Sequence, residues 1–292
     1  MSHIKKWKEI LPEPSSILDI NLGELNKNYL DFRDKTLILI DLETMGFHPS
    51  YEYEQIIEIA VKLVNGDSFE EIEKFNCKVS LLNSTKEFIE NDNSVERYNW
   101  KIRQKKSGKA AITIPSEILK FTKYDENKST EFCEKVAIKK LFEIILTSKN
   151  PILVAHNTEF DINYILTRGK RYGLKLPLVN VIDTLKLSRY FFIPLLKTIQ
   201  SEDTECKDIL TKLTDVRGRY KHTSSRLGDL ANSLGVKSKN WHTATADVEM
   251  MFSILLKMLE LFKLNKNCDI YKEKKIFLKN TFRRNKIKKT KR

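Results

Sequence analysis

The chain has 292 residues, of which 41% are hydrophobic and 31% are charged, and this is enough apolar material for one large folded domain. No apolar run reaches the roughly 18 residues that a membrane helix needs. The longest candidate, Tyr190 to Leu196, contains Pro194 and is followed by Lys197. The first residues also lack the apolar segment of a secretory signal. Composition therefore excludes a membrane-spanning class and predicts an intracellular protein, cytoplasmic or nuclear and not secreted.

The four cysteines are far apart in the sequence, and none forms a Cys-x-x-Cys pair. This spacing argues against a zinc ribbon and against a disulfide framework. We therefore expect reduced thiols, most of them packed in the protein interior.

Most of the formal charge of +13 lies at the C-terminal end. Residues 263–292 hold 13 Lys and Arg against two acids, so this segment carries +11 and the rest of the chain only +2. Such a block attracts polyanions, and Arg283 and Arg284 are the candidate contacts to nucleic acid. The same residues also suit a nuclear-import signal or a solubilising tail, and composition does not decide between these roles.

A short aliphatic run, Thr36 to Thr44, predicts a strand that is buried on both faces. Because side chains alternate along a strand, Asp41 and Glu43 point to the same side at its end. Two adjacent carboxylates raise each other's pKa unless a cation neutralises them, and oxygen ligands suit Mg²⁺ or Mn²⁺. The alternative is a solvated strand end with two acids by chance.

Two alternating segments follow, Ile56 to Val64 and Glu71 to Leu81, and the turn Asn65-Gly66-Asp67 between them predicts a hairpin. In the first segment, Glu58 and Lys62 lie on one face, and the other face carries Ile57, Ile59, Val61 and Leu63. The domain therefore opens with three antiparallel strands. Residues 1–34 are expected to form an N-terminal arm on the core.

Residues 83–111 are polar and charged, and they predict an insertion that ends in a basic hairpin. Trp100, Lys101 and Arg103 combine an aromatic ring with cations, which is typical of single-strand binding surfaces. A surface hairpin with Trp100 packed on the core explains the composition equally well.

Three further elements place polar residues at strand or helix ends. The buried run Ile152 to Ala155 leads into His156-Asn-x-x-Phe-Asp161, and Val179 to Asp183 predicts another strand. A second insertion is expected at about 192–222. The last element is an amphipathic helix that starts near Asp247, and His242 can approach Asp247 only from the loop before that helix.

Taken in order, the polar residues resemble the three motifs of the DnaQ-like exonuclease family, which has four acids and a histidine. The resemblance covers about residues 35–262, which we take as the domain, followed by a tail at 263–292. The three motifs are Asp41-x-Glu43, His156-Asn-x-x-Phe-Asp161 and His242-x-x-x-x-Asp247.

The resemblance implies a ribonuclease-H-like α/β fold, a mixed five-stranded sheet with three antiparallel strands followed by parallel strands and flanked by helices. It also implies two divalent ions, Mg²⁺ or Mn²⁺, held by the acids and a general base that takes a proton from water. Asp41 would bridge the ions, Glu43 and Asp247 would complete one site, Asp161 would support the other, and His242 would be the base. Relatives suggest four contacts to the terminal nucleotide, namely Thr44, Met45, Asn157 and Phe160.

The function expected from this resemblance is 3′→5′ exonuclease activity on single strands or mismatched ends of DNA, in proofreading or repair. An exoribonuclease that trims RNA is the alternative, because recognition of the 2′-hydroxyl leaves no mark in these motifs. A non-catalytic nucleic-acid-binding adaptor is the alternative from another class, although a scaffold has no need for four acids. A metal phosphatase would need more histidine ligands. The expected partners are DNA or RNA 3′ ends, with a DNA polymerase as a further candidate and no membrane.

Overall fold

The computed structural model describes most of the chain between Phe32 and Leu264. The chain divides into two compact units, residues 1–184 with 238–252 and residues 185–237 with 253–292. Among the described residues, none of the helices combines the length and apolar character that a bilayer crossing requires. The described ranges are 32–91, 118–120, 122, 124, 132–175, 179–199, 203–217, 220–237 and 242–264.

A five-stranded mixed sheet forms the centre of the first unit. The strand order is β3-β2-β1-β4-β5, where β1 pairs antiparallel with β2 and parallel with β4. β3 pairs antiparallel with β2, and β5 pairs parallel with β4. The predicted mixed five-stranded sheet is therefore confirmed. The strands are β1 (Thr36–Thr44), β2 (Ile56–Asn65), β3 (Glu71–Lys78), β4 (Pro151–Ala155) and β5 (Asn180–Asp183).

Helices of the first unit follow strands β3 and β4 in the sequence. They are α1 (Asn83–Glu90), α2 (Glu134–Thr147) and α3 (Thr158–Arg171). Helix α1 occupies the start of the predicted insertion at 83–111, and the basic hairpin expected after it lies outside the described residues. The N-terminal arm, except for its last residues, and nearly all of the basic tail also lie outside them.

The chain then runs through short elements, most of which belong to the second unit. The predicted insertion at 192–222 folds into two helices and a hairpin, and its status as an insertion stays a prediction. The elements are α4 (Thr184–Leu187), a π-helical turn (Ser188–Phe192), α5 (Ile193–Ile199), α6 (Thr204–Leu213), β6 (Thr214–Arg217), β7 (Tyr220–Thr223), α7 (Leu227–Ser233) and α8 (Ala244–Leu264).

The central strand β1 is buried at its edges by sheet neighbours, and on one face its side chains pack against residues of α2 and α3. Its residues Leu37 to Ile40 have no exposed surface. The neighbouring strand β2 is buried on both faces as well, including Glu58 and Lys62 on the face that the alternation pattern marks as polar. A polar pattern on one face of a strand therefore does not mean solvent exposure in this protein.

A buried ion pair connects α2 and α3 to the segment between β1 and β2. The side chains of Glu134 and Arg168 are fully buried, and Arg168 Nε lies 2.9 and 3.0 Å from the two carboxylate oxygens. The same carboxylate accepts the main-chain N–H of Ile56 at 2.8 Å, and the guanidinium donates to the carbonyl of Tyr51 at 2.9 Å. The pair therefore fixes the loop that follows Asp41 and Glu43.

We expect Arg168→Leu to lower the free energy of unfolding by about 3 to 5 kcal/mol, because it leaves the Glu134 carboxylate buried without a cation. Urea denaturation measures the change. Lys139→Ala is the control, since Lys139 and Glu143 form an exposed pair at 3.8 Å that should contribute less than about 1 kcal/mol. Equal losses in the two variants would contradict a structural role for the buried pair.

Candidate active site

The end of β1 carries two of the predicted acids. Asp41 and Glu43 are two positions apart on the strand, so their side chains lie on the same side of the sheet. Both are partly buried. β1 lies between β2 and β4, and this places the two carboxylates at the middle of the sheet instead of its edge.

The other two acids come from the first turns of helices. Asp247 lies in the first turn of α8, and one carboxylate oxygen each from Asp41, Glu43 and Asp247 lie within 4.8 Å of one another. Asp161 lies in the first turn of α3, is 3% exposed, and raises the pKa of Asp41 through its negative charge. The fold therefore brings the four predicted acids into one electrostatic centre.

The pKa values of these acids reflect burial first and mutual repulsion second. Burial and then the charges of Asp161, Glu43 and Asp247 raise the pKa of Asp41 well above its ordinary value. Burial, Asp247 and Glu58 raise the pKa of Glu43 to about 8, and burial and Glu58 raise that of Asp247 to about 6. Such a site becomes fully anionic at neutral pH only with a cation, and its all-oxygen donor set fits Mg²⁺ or Mn²⁺.

His242 lies on the loop before α8, as the spacing to Asp247 requires. Its φ angle is 65°, which is left-handed backbone that few residues other than glycine adopt, and α8 begins two residues later at Ala244. The main chain of His242 hydrogen-bonds the Asp247 carboxylate, and this bond lowers the pKa of Asp247. His242 and Asp247 therefore lie close together at the start of α8. The catalytic role of His242 stays a prediction.

The four predicted nucleotide contacts have different environments. Met45 is fully buried and packs with Tyr53 and Phe88, so its side chain belongs to a small hydrophobic cluster in this structure. Thr44 donates its hydroxyl to the carbonyl of Gly46 at 2.7 Å. Contact of these residues with a nucleotide stays a prediction.

The other two predicted contacts lie at the start of α3. Asn157 is exposed, has a φ angle of 75°, and donates its main-chain N–H to Asp183 at 3.1 Å. Phe160 packs its ring edge-on against Phe47, with the ring centroids 6.2 Å apart. Phe160 precedes Asp161 in the first turn of α3, so this aromatic pair borders the acidic centre. The predicted contacts Trp100, Lys101, Arg103, Arg283 and Arg284 lie outside the described residues.

Three residues near the centre are not among the predicted site residues. Glu58 is buried and acts on the pKa values of Asp41, Glu43 and Asp247. Asp183 ends β5 and accepts hydrogen bonds from Asn157 and from the Thr158 hydroxyl. Phe47 is 38% exposed although it is a large apolar residue. The sequence feature that could have identified Asp183 is its position at the end of a predicted strand. In a parallel sheet, polar side chains at the ends of neighbouring strands meet.

No family model matches the sequence. The chain is 28% identical over 247 residues to a PolC-type DNA polymerase III of Staphylococcus epidermidis, covering 83% of this chain and 13% of that protein. The corresponding protein of Staphylococcus aureus is 28% identical, with 79% of this chain and 12% of that protein covered. The chain thus spans about an eighth of the length of these relatives.

The fold matches that of a 3′-exonuclease whose structure concerns 3′-end specific recognition of a histone mRNA stem-loop. The TM-score is 0.51 at 14% identity, with 78% of this chain and 83% of that chain covered. The chain has the DnaQ-like exonuclease fold. The family resemblance expected from the three motifs, and the ribonuclease-H-like fold that it implies, are therefore confirmed.

The raised pKa of Glu43 in this DnaQ-like domain predicts how stability depends on pH. In the folded protein Glu43 keeps its proton up to its raised pKa of about 8, whereas an ordinary glutamate has a pKa of 4.5. Protonation of Glu43 therefore contributes fully to the stability of the fold at low pH. This contribution is lost as the pH rises from about 4.5 to about 8. We expect the metal-free protein to melt at a lower temperature at about pH 8 than at about pH 6, and Glu43→Gln to reduce this difference.

Melting curves recorded with a chelator test this expectation. Glu73→Gln is the matched control, because Glu73 is an exposed glutamate on β3. With Mn²⁺ present the trend should reverse, since metal binding requires deprotonated carboxylates. A metal-free protein whose melting temperature rises with pH across this interval would contradict the raised pKa.

Proposed function

We propose that this chain is a metal-dependent 3′→5′ exonuclease that releases nucleotides from the 3′ end of DNA. The observation that carries the proposal is the convergence of Asp41, Glu43 and Asp247, whose carboxylate oxygens lie within 4.8 Å of one another. Phosphodiester hydrolysis needs such a concentration of anionic oxygen, because it holds the divalent ions that the reaction requires.

Each acid has a distinct place in the proposed site. The charges of the other three acids all act on Asp41, which would contact both ions, while Glu43 and Asp247 would complete one ion site and Asp161 would support the second. When bound, the ions polarise the scissile phosphate and stabilise the departing 3′-oxygen. The main contribution of the protein to the proposed reaction is therefore to place its carboxylates where they would hold the metal ions.

His242 supplies the proton acceptor in this proposal. A water molecule attacks the phosphorus, the bond to the 3′-oxygen breaks, and the imidazole takes the proton that the water loses. Histidine suits the task because its ordinary pKa lies near neutrality. The left-handed backbone of His242 and the bond from its main chain to Asp247 fix the base at the start of α8.

DNA is the proposed substrate because the relatives with similar sequences are DNA polymerases. A proofreading or repair role with a polymerase as partner extends this proposal. RNA is the second candidate, because the 3′-exonuclease with the same fold is described with an mRNA stem-loop. The basic segments around Trp100 and at 263–292 would add contacts to the phosphate backbone of either substrate.

We expect Asp41→Asn to abolish hydrolysis, because the variant removes a carboxylate that would hold the metal ions while its side chain keeps the same shape. Oligonucleotide binding should persist, since cationic surface also holds the substrate. The assay digests DNA and RNA oligonucleotides labelled at the 3′ or the 5′ end, with Mg²⁺, Mn²⁺ or a chelator.

Glu73→Gln is again the control, and it should digest both substrates like the wild-type protein. The proposal requires immediate release of a 3′ label as a mononucleotide and a progressively shortened 5′-labelled strand. Hydrolysis that proceeds in chelator, or that starts from the 5′ end, would refute it. Faster digestion of RNA than of DNA would replace DNA by RNA as the substrate.

The exposed ring of Phe47 predicts a contact to the bases of the substrate. It packs against Phe160 beside Asp161, and its exposed surface is available for stacking. Because stacking on an aromatic ring contributes about 1 to 3 kcal/mol per base, Phe47→Ala should raise the KM for a single strand by roughly 5-fold or more. Phe47→Tyr should keep the wild-type KM, and Tyr190→Ala, which removes another exposed aromatic ring, is the control. An unchanged KM in Phe47→Ala would exclude stacking at this ring.

A further inference from the structure

The sheet places a second glutamate directly opposite Glu43. Glu43 of β1 pairs with Glu58 of β2, which pairs in turn with Lys78 of β3, so these three side chains lie in one row on the same face. Like charges on opposed strand positions are unfavourable, yet Glu58 is only 4% exposed. Other contacts of the Glu58 carboxylate must therefore offset the free-energy cost of burying a second glutamate opposite Glu43.

The contacts of Glu58 lead to the start of α8. Its Oε2 lies 3.7 Å from Lys78 Nζ and accepts no hydrogen bond within the described part of the chain, while the main chain of Thr245 and Ala244 lies close enough to lower the pKa of Glu58 against the larger effect of burial. An acid at a helix N-terminus is also favoured by the helix dipole. The Glu58 carboxylate thus faces the first turn of α8, in which Asp247 lies.

Other polar side chains of the sheet hold the same part of α8. Asn76 Nδ2 of β3 lies 3.3 Å from the hydroxyl of Thr245. Lys62 and Lys74 lie 2.7 and 3.0 Å from the carboxylate of Glu249. Polar side chains therefore flank Asp247 on both sides along the helix, with Glu58 and Asn76 at the helix start and the two lysines beyond Asp247.

The placement of α8 sets the geometry of the site. A helix rises about 1.5 Å per residue, so a slide by one residue moves Asp247 by that distance relative to Asp41 and Glu43. The same slide moves His242, because its main chain hydrogen-bonds Asp247. Glu58 itself is not one of the three acids whose oxygens lie within 4.8 Å of one another.

We propose that Glu58 is a positioning residue, whose carboxylate fixes the start of α8 and thereby the distance of Asp247 and His242 from Asp41 and Glu43. This inference rests on the proposed function. Residues that orient metal ligands typically change metal affinity or activity by about 10- to 100-fold when they are replaced. In this role the reach of the side chain matters more than its charge.

Two variants distinguish the effect of the length of the Glu58 side chain from the effect of its charge. Glu58→Gln keeps the length of the side chain and a carbonyl oxygen that faces the N–H groups of α8, but it loses the charge. Glu58→Asp keeps the charge and is one methylene shorter, so its carboxylate no longer reaches the helix. We expect Glu58→Gln to stay within about 3-fold of wild type in kcat and Glu58→Asp to lose about 10-fold or more.

The measurements are kcat and KM on a single-stranded DNA oligonucleotide, and the Mn²⁺ dissociation constant from calorimetry. The positioning role predicts a lower kcat and a higher Mn²⁺ dissociation constant for Glu58→Asp, with an unchanged KM for the oligonucleotide. Thermal denaturation establishes the folded temperature range for each variant, and Glu73→Gln controls for loss of a glutamate from the sheet.

The opposite ranking, with Glu58→Asp active and Glu58→Gln inactive, would overturn the inference and assign the role to the charge. Wild-type kcat and Mn²⁺ affinity in both variants would also overturn it. A wild-type chain without nuclease activity refutes the proposed function, and Mn²⁺ affinity then tests Glu58 by itself. In that case an unchanged Mn²⁺ dissociation constant in Glu58→Asp refutes the positioning role.

Discussion

Electrostatic repulsion among buried carboxylates is the constraint on which this structure depends. Asp41, Glu43, Asp161 and Asp247 come from a strand and two helices, and burial raises the pKa of each. A folded protein holds such groups together only if its scaffold is rigid and protons or cations neutralise them. The four buried carboxylates therefore account both for the need for a rigid scaffold and for the proposed binding of metal ions.

The scaffold achieves this rigidity through a central apolar strand and a buried ion pair. Residues Leu37 to Ile40 of β1 have no exposed surface, so the strand that ends in Asp41 and Glu43 is packed on both faces. The pair of Glu134 and Arg168 then fixes the segment after β1 to helices α2 and α3. Helix α3 carries Asp161, and the ion pair thus connects two parts of the candidate site.

The final helix uses a different kind of contact. Its start faces Glu58, and Glu249 further along the helix contacts Lys62 and Lys74. Apolar packing tolerates small shifts of a helix, whereas hydrogen bonds and ion pairs constrain distance and direction. Polar contacts around Asp247 therefore suit a helix whose position determines the geometry of a reaction centre.

Much of this arrangement could be predicted from the sequence. A short aliphatic run predicts β1, and alternating hydrophobicity predicts β2 and β3, with β3 ending at Lys78 instead of Leu81. The aliphatic run before His156 predicts β4. The motif spacing also places His242 on the loop before the last helix, where it lies. Local patterns suffice for these features, because they depend on the residues of a single element.

The sequence by itself determined the elements, their acids and the order of the motifs. Only the tertiary structure decided that the polar face of β2 is buried, that Met45 belongs to a hydrophobic cluster, and that Phe47 meets Phe160 beside the site. Periodicity shows which side chains share a face, but it does not show what packs against that face. The role of Glu58 follows from the position of α8 on the sheet, and contacts between residues so distant in sequence leave no local pattern.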